Sequence, residues 1–187
     1  MKKIFTEIQL TNLFENKSMN RLSLDTLLSI ARTQLTTNYI NKWKVDITNQ
    51  PKLRTYRLIK QQYKCENYVS MYLPRHLRSF VAQIRCGVLP LHIETGRFRH
   101  LKLEERLCKV CNLIDNIETE FHFLFCCPAY MNLRLTFYNK IFKIIPTFAS
   151  LSDGEKLSTM LTDKRLIFKS ALYIQDCFML RTSKLFI

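Results

Sequence analysis

Five residues that can bind a metal ion lie close together near the middle of the chain. Cys108-Lys-Val-Cys111 is followed by His122 and then by the adjacent pair Cys126 and Cys127, directly before Pro128. Tetrahedral zinc takes four Cys or His ligands, and a Cys-x2-Cys loop lets two thiolates reach one ion at ~2.3 Å. His122 and Cys126 share one face of an α-helix, whereas Cys127 becomes the neighbour of His122 if that helix ends or distorts at the proline. The spacing predicts one structural zinc whose fourth ligand is Cys126 or Cys127.

Two other interpretations of this pattern are less well supported. The cysteines could be buried apolar residues beside Phe121, Phe123 and Phe125, but so many possible ligands in so short a segment favour a metal. The zinc could be catalytic, with Glu118 or Glu120 as a general base. Catalytic zinc usually keeps an open position, and acidic residues at a helix start are usually solvated caps, so a structural ion is favoured.

The composition predicts a mainly α-helical fold with this zinc segment embedded in it. Of 187 residues, 47% are hydrophobic and only three are Gly and five Pro, which leaves few turns for a sheet protein. Seven cysteines, an odd number, and no signal peptide or membrane span predict a reduced intracellular protein of the nucleus or cytoplasm, without a membrane partner.

Helical periodicity and capping residues outline the elements. Helices are predicted over Ser23–Trp43, after Pro51, over His76–Cys86 with Gly87 as the stop, from Glu118, and through Leu133, Phe137, Ile141 and Ile144, then from a Ser152–Glu155 capping box and over Asp163–Phe178. The chain then divides into an N-terminal helical segment 1–50, a basic helical region 51–106, a zinc-binding segment 107–130 and C-terminal helices 131–187, which together are predicted to make one compact domain.

Positive charge is concentrated in one of these regions. The chain has 29 Lys and Arg against 15 Asp and Glu, a balance of +14, and residues 51–106 hold twelve against four, a balance of +8. Such a region neutralises phosphates, but charge alone does not separate nucleic-acid binding from a solvated surface. Among its aromatic residues, Tyr56, Tyr63 and Phe80 are expected in the core, and Phe98, between Arg97 and Arg99, is a candidate to stack on unpaired bases.

Several segments of this sequence resemble one family. They are PKLRTYRLIK (51–60), RCGVLPLHIETGRF (85–98), LEERLCKVC (103–111) and ETEFHFLFCCPAY (118–130). Together they resemble the C-terminal zinc-binding region of reverse transcriptases from LINE-type, non-LTR retrotransposons. The likeness is strong over about residues 51–134 and looser at both ends, including the similarity of 169–181 to the closing helix of such proteins.

The resemblance implies a ligand set. The family pattern is Cys-x2-Cys, a His, four residues and a Cys directly before Pro, which implies Cys108, Cys111, His122 and Cys127. Cys126 would then be a buried, unligated thiol.

The resemblance also bears on activity. The family's polymerase site contains an Asp-Asp pair, which this sequence lacks, and its endonuclease domain is not represented. Two-metal nucleotidyl transfer needs paired carboxylates, so no enzymatic activity is expected of this chain. It is expected to be the tail of a larger element, either a truncated copy or a gene that retains only this part.

RNA or single-stranded DNA is the implied partner, with a reverse transcriptase core as a second partner and no small-molecule substrate. Arg54, Arg57, Arg85, Arg97 and Arg99 are the candidate phosphate contacts, and the zinc segment would hold their surface in place. The alternative is a protein-interaction or remnant domain, which a groove of exposed apolar residues would indicate. A nuclease built on Glu104, Glu105 and Arg106 is disfavoured, because that trio is typical of a helix surface.

Overall fold

Helices supply the regular secondary structure of residues 23–185, the part of the chain that the computed structural model describes. They are α1 (Leu24–Asn49), α2 (Tyr56–Ile59), α3 (Asn67–Ser70), α4 (Arg75–Cys86), α5 (His92–Phe98), α6 (Met131–Phe142), α7 (Asp153–Thr162) and α8 (Ile167–Leu185). Within this range the chain forms no strand, only an isolated antiparallel bridge between Leu107 and Ile117. The predicted mainly helical fold is confirmed.

The chain divides between Gln50 and Pro51 into two compact units, where one domain was predicted. The division coincides with the predicted boundary at residue 50. In the first unit, Ser23 caps α1 by accepting a hydrogen bond from the Thr26 amide at 3.3 Å, and Asp25 lies in the first turn. Leu24, 71% exposed, begins a helix that buries few of its apolar side chains.

The second unit, 51–187, is organised around α8. This helix packs against α4, α6 and α7 and buries Ile167, Ala171, Ile174 and Cys177 among them. Each large apolar side chain buried in this way contributes about 1.5 to 3 kcal/mol. Helices α4, α6, α7 and α8 therefore form the core that supports the irregular segments between them.

Local signals set several helix ends in this unit. Gly87 ends α4 with φ of 64°, a left-handed conformation that costs glycine little. Ser152 and Glu155 form the predicted capping box at the start of α7. None of the helices in the described residues is long and apolar enough to cross a membrane.

Candidate metal centre and basic surface

Four of the five possible metal ligands converge at the centre of residues 107–130. The ligating atoms of Cys108, Cys111, His122 and Cys127 all lie within 4.8 Å of one another and can hold a metal ion. The Cys108 and Cys127 sulfurs are 4.0 Å apart, and the Cys111 sulfur lies 3.5 Å from Nε2 of His122. Ligands ~2.3 Å from a tetrahedral ion would be separated by roughly 3.8 Å, so the spacing fits such an ion.

A short loop presents the first two cysteines. The Leu107–Ile117 bridge closes its base, where the Glu118 amide donates to the Arg106 carbonyl at 2.9 Å. The Cys108 amide donates to the Asn116 carbonyl at 2.7 Å, and Asn112 follows Cys111 with φ of 52°. Asparagine tolerates this left-handed conformation better than most residues, which lets the chain reverse directly after the second thiol.

A π-helical turn, His122–Cys126, presents the other two ligands. The Cys127 amide donates to the His122 carbonyl at 2.7 Å, an i to i+5 bond that widens the turn before Pro128. In an α-helix, Cys126 would lie one turn after His122 on the same face of the helix. The wider π-helical turn places Cys127 there instead. The proline, which cannot donate a backbone hydrogen bond, lies where this turn ends.

Cys126 lies outside the group, and the expectation that it would be buried is wrong. Its side chain is exposed, and its sulfur lies 3.7 Å from Oδ2 of Asp153 on α7. Partial burial and the Asp153 carboxylate raise the pKa of the Cys126 thiol. The physical reason for its exposure is the π-helical turn, which points Cys127 inward and its neighbour outward.

The two buried thiols of the group, Cys108 and Cys127, face each other with their sulfurs 4.0 Å apart. The Cys127 thiol faces the Cys108 sulfur, and this contact lowers the pKa of Cys108 and raises the pKa of Cys127. Because metal binding requires thiolates, both sulfurs would bind an ion in their deprotonated form.

Glu118 and Glu120, expected to be solvated helix caps, are both buried. Arg181 on α8 donates to the Glu118 carboxylate at 2.7 and 2.8 Å, and the His92 amide donates to the same carboxylate at 2.5 Å. Arg54 forms an ion pair with Glu120 and donates to the Gly87 carbonyl at 3.3 Å. The expectation failed because each carboxylate has a cationic partner more than sixty residues away in sequence.

The five candidate phosphate-binding arginines are not equivalent. Arg85 is 1% exposed, pairs with Glu66 at 2.5 Å and donates to the Leu161 carbonyl at 3.0 Å, so its prediction as a phosphate contact is wrong. Arg54 pairs with the buried Glu120 and keeps 24% of its side chain exposed. Arg57 and Arg99 are exposed, and Arg97 is half-buried.

Lys52 was not singled out from the sequence, although it belongs with Arg97. Its ammonium nitrogen lies 6.0 Å from the centre of the Phe98 ring, and the Arg97 guanidinium carbon lies 5.5 Å from it. Both cations also face Glu94, at 4.0 Å for Lys52 and 3.1 Å for Arg97. Because Lys52 and Phe98 are 46 residues apart in sequence, local charge patterns do not show their proximity. We call Lys52, Arg97, Phe98 and Arg99 the α5 cluster.

Comparison with known proteins adds no family to this description. No protein-family model, curated protein or solved structure matches the chain. The fold and the site define a mainly helical protein with a Cys-Cys-His-Cys group that can hold a metal ion. The chemistry of the site therefore rests on the geometry of its own residues.

Proposed function

We propose that this chain is a zinc-stabilised nucleic-acid-binding module, related to the C-terminal region of non-LTR retrotransposon reverse transcriptases and without polymerase activity of its own. The observation that carries the binding proposal is the distribution of exposed charge. In residues 51–106 the exposed basic side chains are Lys52, Arg57, Lys64, Arg75, Arg78, Arg99 and Lys102, against exposed Glu104 and Glu105. This surface attracts polyanions, since each phosphate that it neutralises releases counterions.

Zinc is the metal that suits the donor set. Three thiols and an imidazole are soft or borderline ligands, which zinc accepts in closed four-ligand structural sites. Cys108, His122 and Cys127 are buried and Cys111 is partly buried, which leaves little room for a substrate at the ion. Its role would be to join the loop that carries Cys108 and Cys111 to the π-helical turn, which is itself buried in the core.

Contacts between the metal loop and α5 support the idea that zinc positions the basic surface. Nδ1 of His92, the first residue of α5, lies 2.8 Å from the Leu107 carbonyl oxygen, and the Ile93 amide donates to the Glu118 carbonyl at 3.2 Å. The Arg106 guanidinium donates to the Ile93 carbonyl at 3.0 Å. The residues that flank the loop therefore hold the helix that ends at Phe98.

The zinc proposal is tested by elemental mass spectrometry of untagged protein purified without added metal. One zinc per chain is expected. A folded protein without metal would instead make the four residues ordinary parts of the core.

The binding proposal is tested by measuring affinity for a single-stranded RNA at several salt concentrations. About six phosphate contacts predict a slope of about −4 in a plot of log affinity against log salt. The double variant Lys52→Gln, Arg99→Gln should make the slope shallower by about 1.4. Lys140→Gln, Lys143→Gln, with two exposed lysines outside the basic region, is the matched control. A flat plot for the unmodified protein would reject the proposal.

A protein-interaction module is the second candidate. It is favoured by exposed apolar side chains on α6 and α8, among them Leu135, Phe142 and Met179, which are 52%, 62% and 61% exposed. If RNA affinity proves independent of salt, docking onto a polymerase core becomes the preferred proposal.

A further inference from the structure

Phe98 has a large apolar side chain that is not buried in the core. It is the last residue of α5, whose inner face buries His92, Ile93, Glu94 and Gly96, and Phe98 itself is 69% exposed. A buried phenylalanine contributes about 1.5 to 3 kcal/mol of transfer free energy. Because Phe98 is mostly exposed, it contributes much less than this to stability. Its position between Arg97 and Arg99 in sequence calls for an explanation other than packing.

The backbone beneath the ring is tightly held. A side chain at Gly96 would lie 2.8 Å from Cγ of Arg106, so α5 packs closely against that arginine. The Arg106 guanidinium also donates to the Leu101 carbonyl at 2.8 and 3.1 Å, which fixes the turn that follows the helix. The exposed ring therefore projects from a fixed support.

The cations of the α5 cluster have a defined arrangement around the ring. Oε1 of the buried Glu94 faces both Lys52 and Arg97, at 4.0 and 3.1 Å, while their side chains remain 48% and 34% exposed. Arg99 is exposed on the following residue. With one carboxylate against three cations, the cluster keeps a net charge of about +2 beside a phenylalanine that is 69% exposed.

From this arrangement we infer that the α5 cluster is a stacking site for one unpaired base of a single-stranded nucleic acid. The base would stack on the Phe98 ring, in place of one of the cations that lie over it, and Lys52, Arg97 and Arg99 would contact the phosphates on either side of the base. Duplexes offer phosphates but no free base face, so the ring confers a preference for single strands. This inference rests on the proposed function and names the form of nucleic acid that the surface selects.

The test compares one labelled 12-nucleotide RNA, single-stranded or paired with its complement, by fluorescence anisotropy. The full chain, Phe98→Ala and the control Phe142→Ala are titrated in parallel; Phe142 is 62% exposed and ends α6. Loss of one base–aromatic stack should weaken single-strand binding by Phe98→Ala about tenfold. Duplex binding by Phe98→Ala should stay within about twofold of the unmodified protein, because a duplex offers no free base face. Both affinities of Phe142→Ala should also stay within about twofold, because that variant keeps Phe98.

A second variant detects stacking of a base on the side chain at position 98 by fluorescence. In a Trp43→Phe background, the indole introduced by Phe98→Trp should retain single-strand affinity, and its emission should be quenched by the single strand but not by the duplex. The stacking site is rejected if Phe98→Ala weakens both forms equally, if it resembles Phe142→Ala, or if the indole emission does not change. In each of these cases salt-dependent binding by the unmodified protein would leave the proposed function standing. Failure of the unmodified protein to bind either form would reject the proposed function as well.

Discussion

Cys126 and Cys127 are neighbours in sequence but differ in their surroundings. Cys127 is fully buried 4.0 Å from the Cys108 sulfur, whereas Cys126 is exposed beside Asp153. Thiols in the first environment can bind an ion together with Cys111 and His122, and a thiol in the second cannot reach it. The difference between the two positions is therefore one of backbone geometry rather than residue type.

Substitution of each cysteine shows which of the two binds the metal ion. Cys127→Ser is expected to lose the zinc, because a hydroxyl is a much weaker zinc ligand than a thiolate. Cys126→Ser should keep one zinc per chain by elemental mass spectrometry. Retention of metal by Cys127→Ser together with its loss from Cys126→Ser would show that the fourth ligand is assigned to the wrong cysteine.

The buried Glu118 carboxylate depends on one cation from α8. Its partner Arg181 is mostly buried, and Glu118 itself is 1% exposed. Arg181→Ala leaves the Glu118 charge in the interior without a countercharge, which is expected to lower the free energy of unfolding by about 3 kcal/mol. Urea denaturation followed by circular dichroism measures this loss.

Arg165→Ala is the control for that experiment. Arg165 also pairs with an acidic residue, Asp163, at 2.6 Å, but its side chain is 64% exposed. Exposed pairs are screened by solvent, so little change in stability is expected. Equal losses in the two variants would contradict the importance assigned to burial of the Glu118–Arg181 pair.

At the scale of elements, the features that depend on a few adjacent residues were predicted from the sequence. Ser23 caps α1, Gly87 ends α4 and Ser152 opens α7 as expected, because each cap is satisfied within its own turn. The helix expected after Pro51 is interrupted, with a 3₁₀ turn and the short α2 in its place. The helix ends at Ile59, and the next residue, Lys60, forms an ion pair with Glu66 at 2.5 Å. Helical periodicity does not predict this contact.

The π-helical turn marks the limit of prediction at the candidate metal site. The residue types and spacing narrowed the ligands to Cys108, Cys111, His122 and one of two thiols. An i to i+4 and an i to i+5 pairing are both compatible with His122, Cys126 and Cys127, so spacing alone could not choose between them. Only the observed backbone bond from Cys127 to His122 selects the second. Burial of Glu118 and Glu120 was missed for a similar reason, since their partners are distant in sequence.

Gly87 and Gly154 make a matched pair for testing the end of α4. A Cβ at Gly87 would lie 2.9 Å from the Lys52 carbonyl oxygen in a left-handed conformation, whereas a Cβ at Gly154 has nothing within 4 Å. Gly87→Ala should therefore destabilise the protein by at least about 1 to 2 kcal/mol. Gly154→Ala, in the first turn of α7, should be neutral or stabilise it by up to about 1 kcal/mol. The urea midpoints of the two variants measure this difference, and a stabilised Gly87→Ala variant would contradict it.

At the scale of the whole molecule, residues 51–187 contain both candidate sites. The bridge between Leu107 and Ile117 closes the metal loop, and contacts from His92 and Arg106 connect that loop to α5. The α5 cluster includes Lys52 from the first turn of this unit. Metal binding and presentation of the basic surface are therefore expected to depend on the same unit.

Separate production of the two units tests this dependence. The chain divides between Gln50 and Pro51, and residues 1–50 contain no Cys or His. The fragment 51–187 is expected to fold and bind one zinc, and the fragment 1–50 to bind none. Residues 51–187 keep 22 of the 29 Lys and Arg, including the whole α5 cluster. The salt slope of RNA binding by this fragment should therefore match that of the full chain within about one. Loss of zinc from fragment 51–187, or a slope reduced by half, would show that residues 1–50 are needed for the site or for the binding surface.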